Sequence, residues 1–290
     1  MGTYAVTGAA SGMGREVVDR LRAAGHTTIT VDLRDADVVA DLATPAGRRT
    51  AVAGVLARAA GSLDGAVLAA GVGPVRGREE LIAQVNYVAP TELLLAWRDT
   101  LAATAAGTGV SSKVVVFGSN SASVTPGIPG ALVAAHLHDR PGVRARLLKV
   151  FGPNAAAFAY GGSKLALSRW VRRTAVAPEW AGSGIRLNAI APGAIMTPLL
   201  QTQLDGPDRD RIESFPVPVG GLGDAGQIAE WAVFMLSPAA DFLCGSVVYV
   251  DGGTDAYFRG SAWPASSSML SVPRWLLRSR AFAKRAVSGS

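Results

Sequence analysis

Tyr160 and Lys164 are the residues of this 290-residue chain whose types and spacing most directly suggest chemistry. They are four positions apart, so on a helix both side chains leave the same face. A free tyrosine has a pKa of about 10 and exchanges protons poorly at neutral pH, whereas a nearby ammonium group lowers that pKa. The pair therefore predicts an acid/base group suited to carbonyl reduction. Because a Tyr and a Lys at this spacing are also common by chance, other residues must support the prediction.

Two adjacent glycines, Gly161 and Gly162, lie between the members of this pair. Each destabilises a helix by about 1 kcal/mol relative to alanine, a cost that a purely structural helix has no reason to carry. A helix that lies against a cofactor does have a reason, because glycine admits close contact. Ser119 follows a strand predicted at 113–118, at the sheet edge where ligands bind in open α/β sheets, and its hydroxyl is placed to hold a substrate oxygen.

A glycine-rich turn separates the first predicted strand from the first predicted helix. Gly8, Gly12 and Gly14 let the backbone turn sharply and approach a pyrophosphate, and the helix then directs its N–H groups at that anion. The next predicted strand, 27–31, ends in Asp32, which follows Gly14 by 18 residues and can accept hydrogen bonds from adenosine ribose hydroxyls. This arrangement predicts a site for NAD, with an ordinary glycine turn as the alternative.

Strands and helices alternate along most of the chain, a pattern typical of a parallel sheet covered on both faces. Strands are predicted near 3–7, 27–31, 37–40, 66–70, 113–118, 184–190 and 246–250, and helices near 12–24, 45–60, 79–104, 158–180 and 225–236. We therefore expect a doubly wound α/β fold of the Rossmann type, with one catalytic domain over residues 1–253 and a basic extension over 254–290.

Two segments interrupt this alternation inside the predicted domain. Residues 125–157 predict a helical insertion with two short helices, near 130–138 and 143–151, split at Pro141 and Gly142. Their apolar residues must bury against the domain or a second subunit, because such short helices are marginal in water. Residues 197–224 are expected to be irregular and to form a substrate lid.

Composition narrows the classes of protein further. The chain is 49% hydrophobic and 17% charged, which is typical of a soluble globular enzyme. The single cysteine, Cys244, excludes an internal disulfide framework and favours a reducing compartment, and no signal peptide is visible, so we expect a cytoplasmic protein. No apolar run is long enough to span a bilayer. We also expect a homodimer or homotetramer.

The basic extension carries most of the net charge. Six cationic residues and one acid lie in 254–290, so five of the six net positive charges are there, and the rest of the chain has no basic excess to indicate nucleic-acid binding. The sequence predicts a short helix with one apolar side opposite Arg278 and Arg285, formed by Trp275, Leu276, Phe282 and Val287. That side is consistent with weak membrane-surface contact, with a partner contact or with a simple extension.

Taken in order, the motifs resemble the single-domain short-chain dehydrogenase/reductases. They are Thr7-Gly-x-x-x-Gly-x-Gly14, Asp32, Asp41-Leu42, Ala69-Ala70-Gly71, Asn86, Ser119, Tyr160-x-x-x-Lys164 and Pro192-Gly193. The resemblance covers about residues 2–253, and several longer runs resemble the bacterial hydroxysteroid dehydrogenase/carbonyl reductase subgroup. It implies hydride transfer between NAD(H) and a secondary alcohol or ketone, on a hydrophobic and steroid-like substrate.

The resemblance also implies a role for each matching position. Tyr160 would donate or accept the proton, Lys164 would lower its pKa and bind the nicotinamide ribose, and Ser119 would orient the substrate oxygen. Asn86 would hold a water that links Lys164 to solvent. The implied cofactor contacts are Gly8, Ser11, Gly12, Met13, Gly14, Asp32, Asp41, Leu42, Ala70, Gly71, Tyr160, Lys164, Ile195 and Thr197.

Some residues have alternative interpretations. Asn86 is also typical of an amide that packs a helix, and His26 of a turn residue after the first helix. His136 and His138 are more typical of surface histidines than of a metal pair, since no further Cys or His completes a site, and we expect no metal. The alternative function is a catalytically idle NAD-binding sensor or scaffold, which would be expected to have lost Ser119, Tyr160 or Lys164.

Overall fold

The computed structural model describes residues 1–206, 209–263 and 268–288. Nine strands form in the described residues: β1 Thr3–Thr7, β2 Thr27–Asp32, β3 Val38–Val39, β4 Gly65–Leu68, β5 Ser112–Phe117, β6 Ile185–Pro192, β7 Ile195–Met196, β8 Gly223–Asp224 and β9 Val247–Val250. Seven of them build one parallel sheet in the order β3-β2-β1-β4-β5-β6-β9, and β7 pairs with β8 apart from it. The order reverses between β1 and β4, where ligands bind in sheets of this kind.

Thirteen α-helices surround or extend this sheet in the described part of the chain. They are α1 Gly12–Ala23, α2 Pro45–Ala59, α3 Glu79–Ala83, α4 Ala89–Thr108, α5 Ser121–Val124, α6 Gly130–Leu137, α7 Pro141–Lys149, α8 Ala155–Thr174, α9 Pro198–Leu204, α10 Arg209–Glu213, α11 Ala225–Leu236, α12 Thr254–Arg259 and α13 Val272–Ser288. A π-helical turn, Gln84–Val88, joins α3 to α4 without a gap, so the helix expected at 79–104 is present and contains one π-helical turn.

Helices bury both faces of the sheet, which confirms the predicted doubly wound fold. On one face Leu93, Trp97 and Val171 of α4 and α8 are fully or almost fully buried in one core cluster. On the other face Val17 of α1 and Ile228 of α11 belong to a second cluster. The strand β5 is buried along its whole length, as a strand covered on both faces requires.

The insertion predicted at 125–157 packs against its own chain. Leu132 of α6 and Leu148 of α7 join Ile82, Ala156 and Ala159 in a third buried cluster over α3 and α8. The helix α7 starts at Pro141, not after Gly142 as predicted, because proline is favoured in the first helical turn. The insertion therefore packs beside α8, the helix that carries Tyr160.

Two further expectations are wrong in detail. Residues 197–224 are not irregular throughout, since they contain α9, α10 and the strand β8. His136 is not a surface residue: only 1% of it is exposed, and its ring contacts the ring of Tyr87 at 5.6 Å. Burial lowers the pKa of His136 to about 3. The sequence did not reveal the burial of His136, because that burial depends on how the insertion packs against the rest of the chain.

Candidate active site

The turn after β1 is packed so tightly that only glycine fits. Gly8 has a φ of +69°, and a Cβ there would lie 2.6 Å from the backbone nitrogen of Ala70. A Cβ on Gly14 would lie 2.1 Å from the carbonyl oxygen of Gly8. The turn therefore lies directly against the segment that follows β4, which includes Ala70 and Gly71, at the point where the strand order reverses.

The N-terminus of α1 is arranged to receive an anion. Ser11 occupies the capping position without a side-chain capping bond, and no acidic residue lies in the first turn of the helix. The first N–H groups of α1 and its positive dipole end therefore have no compensating carboxylate in the first turn of the helix. A pyrophosphate fits the chemistry of this site. Met13, in the first turn of α1, lines a cavity that Tyr160 also lines.

Asp32 lies beside the same turn, at the end of β2. Its Oδ2 accepts a hydrogen bond of 2.9 Å from the backbone of Ala10, and its Oδ1 accepts one of 2.7 Å from Leu33. A carboxylate offers about four acceptor positions, so about two remain for the hydroxyls of a ribose. The two backbone bonds hold the carboxylate in place, and its charge opposes a phosphate on that ribose.

Asp41 and Leu42, the pair expected beside adenine, differ in exposure. Asp41 is exposed and its Oδ1 accepts a hydrogen bond from the backbone of Ala43, whereas Leu42 is buried in the core and only 6% exposed. Neither residue lines the cavity that contains Tyr160. Their contact with adenine stays a prediction.

Ser119 and Tyr160 are brought together at the end of β5. Both side chains line one cavity, and the Ser119 hydroxyl is near enough to the phenol to oppose the rise in the pKa of Tyr160. The Oγ of Ser119 also accepts hydrogen bonds from Ser121, at 2.9 Å from its hydroxyl and 3.2 Å from its backbone N–H. Since a hydroxyl accepts about two bonds and donates one, the proton of Ser119 is left to point toward Tyr160 or a substrate oxygen.

Lys164 is buried one turn further along α8, and only 5% of it is exposed. Its Nζ donates a hydrogen bond of 2.8 Å to the carbonyl oxygen of Phe117. Burial lowers the pKa of Lys164 to about 8, and no carboxylate contributes to this shift. A buried ammonium group without an acidic partner is unusual in a structural role and typical of a functional site.

Gly71 lies between the side chains of Lys164 and Asn86. A Cβ on Gly71 would lie 3.4 Å from Oδ1 of Asn86 and 3.7 Å from Nζ of Lys164. Asn86 lies in the π-helical turn, and its amide both donates to and accepts from the backbone of Val72, each at 2.9 Å. The amide therefore fixes the segment after β4, and a water bound by Asn86 stays a prediction.

Burial raises the pKa of Tyr160, and the hydrogen bond with Ser119 opposes that shift. The lowering by Lys164 that the sequence led us to expect is not among its causes. Tyr160 is therefore protonated at neutral pH. It can donate a proton as it stands, and it needs added positive charge nearby to accept one.

The cavity has a volume of about 300 Å³. It brings Met13, Ser119, Tyr160, Ile195 and Thr197 to one space. The methyl group of Thr197 would lie 3.3 Å from a Cβ on Gly12, so the segment after β7 meets the glycine turn. Two of the sequence-predicted catalytic side chains, Ser119 and Tyr160, thus share one cleft with part of the predicted cofactor set, whereas Asn86 and Lys164 do not line it.

Comparison with known proteins places this site in a family. Over 261 residues the chain is 38% identical to the 3-alpha-hydroxysteroid dehydrogenase/carbonyl reductase of Comamonas testosteroni, an alignment that covers 89% of this chain and 98% of that enzyme. The chain belongs to the short-chain dehydrogenase/reductase family. It is an oxidoreductase related to the hydroxysteroid dehydrogenase/carbonyl reductases, as the sequence motifs predicted.

Other relatives of this short-chain dehydrogenase/reductase agree with the assignment. The galactitol 2-dehydrogenase (L-tagatose-forming) of Cereibacter sphaeroides is 30% identical, over 86% of this chain and 93% of that protein. The 3-alpha-hydroxysteroid dehydrogenase of Pseudomonas sp. B-0831, solved as a complex with NADH, superposes with a TM-score of 0.82 at 39% identity, covering 89% of this chain and 99% of that one. Residues 147–255 also match the family model described as enoyl-(acyl carrier protein) reductase.

Part of the cavity wall of this short-chain dehydrogenase/reductase was not identified from the sequence. Leu199 and Leu200 of α9 contribute apolar wall, as do Ile212 of α10 and Phe215 just after it. Their segment was expected to form a lid, but nothing in its spacing showed which residues face the cavity. The apolar residues after Pro198 were the one available signal.

The described residues also limit other classes of site. Within residues 1–206, 209–263 and 268–288, no cluster of three or more His, Cys, Asp or Glu could hold a metal ion. The same part of the chain contains no helix long and apolar enough to cross a bilayer.

Proposed function

We propose that this oxidoreductase interconverts a secondary alcohol and a ketone on a hydrophobic, steroid-like substrate, with NAD(H) as its coenzyme and Tyr160 as acid/base. The observation that carries the proposal is the convergence of Ser119, Tyr160 and Lys164 at the end of β5, beside the glycine turn. A proton donor and a hydroxyl that line one cleft, with a buried cation one turn further along the helix of the proton donor, support these roles.

The residues around α1 fit NAD(H). The uncapped N-terminus of α1 supports a pyrophosphate site, and Asp32 supports a ribose without a phosphate on its hydroxyls. The NADH complex of the Pseudomonas enzyme supports the same coenzyme for this chain. The bound coenzyme would supply or accept the hydride, and its positive charge in the oxidised form would add to that of Lys164.

Tyr160 would manage the proton of the reaction. In reduction its hydroxyl donates a proton to the substrate oxygen while Ser119 holds that oxygen by a hydrogen bond. In oxidation Tyr160 must accept the proton, so the pKa of Tyr160 must be lower in that step than its raised value. The ammonium group of Lys164 favours the phenolate in that step, and Phe117 holds the ammonium in position.

The apolar wall supports a hydrophobic substrate. Leu199, Leu200, Ile212 and Phe215 line the cavity together with Ser119 and Tyr160, and further polar residues such as Arg76 and Asn154 also line it. A cavity that combines apolar wall with polar groups is typical of a site for a small molecule, and the apolar part favours a hydrophobic one. The activity named for the Comamonas relative suggests a steroid or another cyclic carbonyl compound.

A panel of cyclic ketones and alcohols tests the proposal, read by the absorbance of NADH. We expect turnover of steroid ketones and smaller cyclic ketones with NADH, and of the matching alcohols with NAD. Tyr160→Phe is the control, because it keeps the ring and removes the acid/base oxygen. Binding of NADH without turnover of any member of the panel would favour the NAD-binding sensor instead.

A further inference from the structure

The C-terminal helix α13 exposes an apolar stripe. Val272, Trp275, Leu276 and Phe282 are all exposed. At 3.6 residues per turn, these four positions and Ser279 fall within an arc of about 120°. The arc contains no charged residue in the part of the helix whose side chains are described, 272–282.

The rest of the helix circumference is basic. Arg274, Arg278 and Arg280 lie outside the apolar arc, with Leu277 among them. The sequence adds Lys284 and Arg285, whose side chains lie outside the described residues, and it contains no Asp or Glu after residue 255. One side of α13 is therefore apolar, and the other carries positive charge without acidic residues to neutralise it.

The turn before the helix extends the apolar surface. Met269 and Leu270, in the 3-10 turn Met269–Ser271, are 83% and 92% exposed. Trp275 and Phe282 are 64% and 75% exposed, so these four large apolar side chains are in contact with water within residues 269–282. Exposed apolar side chains concentrated in one short segment favour an interaction site.

The charge of the helix decides between partners. Residues 1–253 carry only one net positive charge, so a second copy of this chain offers no acidic excess to match the basic side. An anionic lipid surface matches both sides of α13 at once. Its acyl boundary accepts Trp275 and Phe282, while its phosphates accept the arginines. We propose that α13 is an interfacial helix that lies in the plane of an anionic lipid surface, with the apolar stripe facing the acyl chains.

Co-sedimentation of the full chain with lipid vesicles tests the proposal. Vesicles of phosphatidylcholine with about one third phosphatidylglycerol should bind the protein at least about tenfold more strongly than pure phosphatidylcholine vesicles, since several cations act together. Raising the salt from about 0.05 M to about 0.5 M should remove most of that difference, because added salt screens exposed charges. A chain truncated after Gly260 should not co-sediment with either kind of vesicle.

Leu276 and Leu277 provide a matched pair of variants, because they are adjacent leucines on different sides of the helix. Leu276→Ser should weaken binding to the anionic vesicles by about threefold or more, as the apolar stripe loses one side chain to water. Leu277→Ser should leave binding within about twofold of the unchanged protein. Unchanged thermal unfolding of both variants shows that the fold is intact.

Several outcomes would overturn the proposal. They are equal binding to both kinds of vesicle, equal effects of the two leucine variants, and no binding to anionic vesicles. A dimer that depends on the tail and forms without vesicle binding would assign the stripe to a second copy of the chain. None of these measurements uses a substrate, so their result does not depend on the proposed reaction.

Discussion

The stability of this protein should depend on pH through Lys164 in a predictable direction. Burial lowers the pKa of Lys164 from its ordinary 10.5 to about 8. Below pH 8 the folded protein must hold a buried ammonium group, and the full penalty of about 3 kcal/mol applies there. As the pH rises from 8 to 10.5, the folded state loses the proton before the unfolded state does, so the penalty is relieved.

The expected change is measurable within an accessible pH range. Linkage with these two pKa values gives a gain of about 1 kcal/mol in the free energy of unfolding between pH 7 and pH 9. For a chain of this length, that corresponds to about 2 °C in the unfolding temperature. Lys164→Met removes the titrating group and keeps a side chain of similar length. Lys164→Met also removes the hydrogen bond that Lys164 donates to the carbonyl oxygen of Phe117. That loss should change the free energy of unfolding equally at both pH values.

Urea unfolding of the two proteins at pH 7 and pH 9, at one protein concentration, measures this difference. The unchanged protein should gain about 1 kcal/mol in the free energy of unfolding relative to Lys164→Met as the pH rises. Lys149→Met, which removes an exposed lysine of α7, is the matched control and should follow the unchanged protein. Parallel pH dependence of the unchanged protein and Lys164→Met would refute the claim that Lys164 is held as a buried, unpaired cation.

Three further predictions concern the site. Tyr160→Phe should lower kcat by about 10²–10⁴-fold while NADH binding, followed by fluorescence titration, stays within about twofold; near-normal turnover would exclude Tyr160 as the acid/base group. The unchanged protein should bind NADH at least about tenfold more tightly than NADPH, and Asp32→Ala should remove that preference. If the preference persists in Asp32→Ala, another group distinguishes the ribose from its phosphorylated form. Gly14→Ala should abolish NADH binding, because the added Cβ would meet the carbonyl oxygen of Gly8. Gly107→Ala on α4 is the control and should leave NADH binding intact, because a Cβ there would meet no other atom; equal NADH affinities of the two variants would contradict the tight turn.

Several features of the fold and the site follow from the sequence, because they depend on neighbours along the chain. The apolar run of β5 and the alternation of strands and helices indicate a buried parallel sheet whichever helices cover it. The turn from Gly8 to Gly14 and the place of Asp32 after β2 are likewise local patterns. The spacing of Tyr160 and Lys164 placed both on one helix, and strand topology placed Ser119 at the same edge of the sheet.

Only the tertiary structure decided which groups lose water and which surfaces meet. The lowered pKa of Lys164 and its bond to Phe117 depend on the packing of α8 over β5, two elements 37 residues apart along the chain. The burial of His136, the π-helical turn at Asn86 and the wall formed by Phe215 depend in the same way on distant segments folding back. Desolvation is a property of the space around a group, and a one-dimensional pattern does not contain that space.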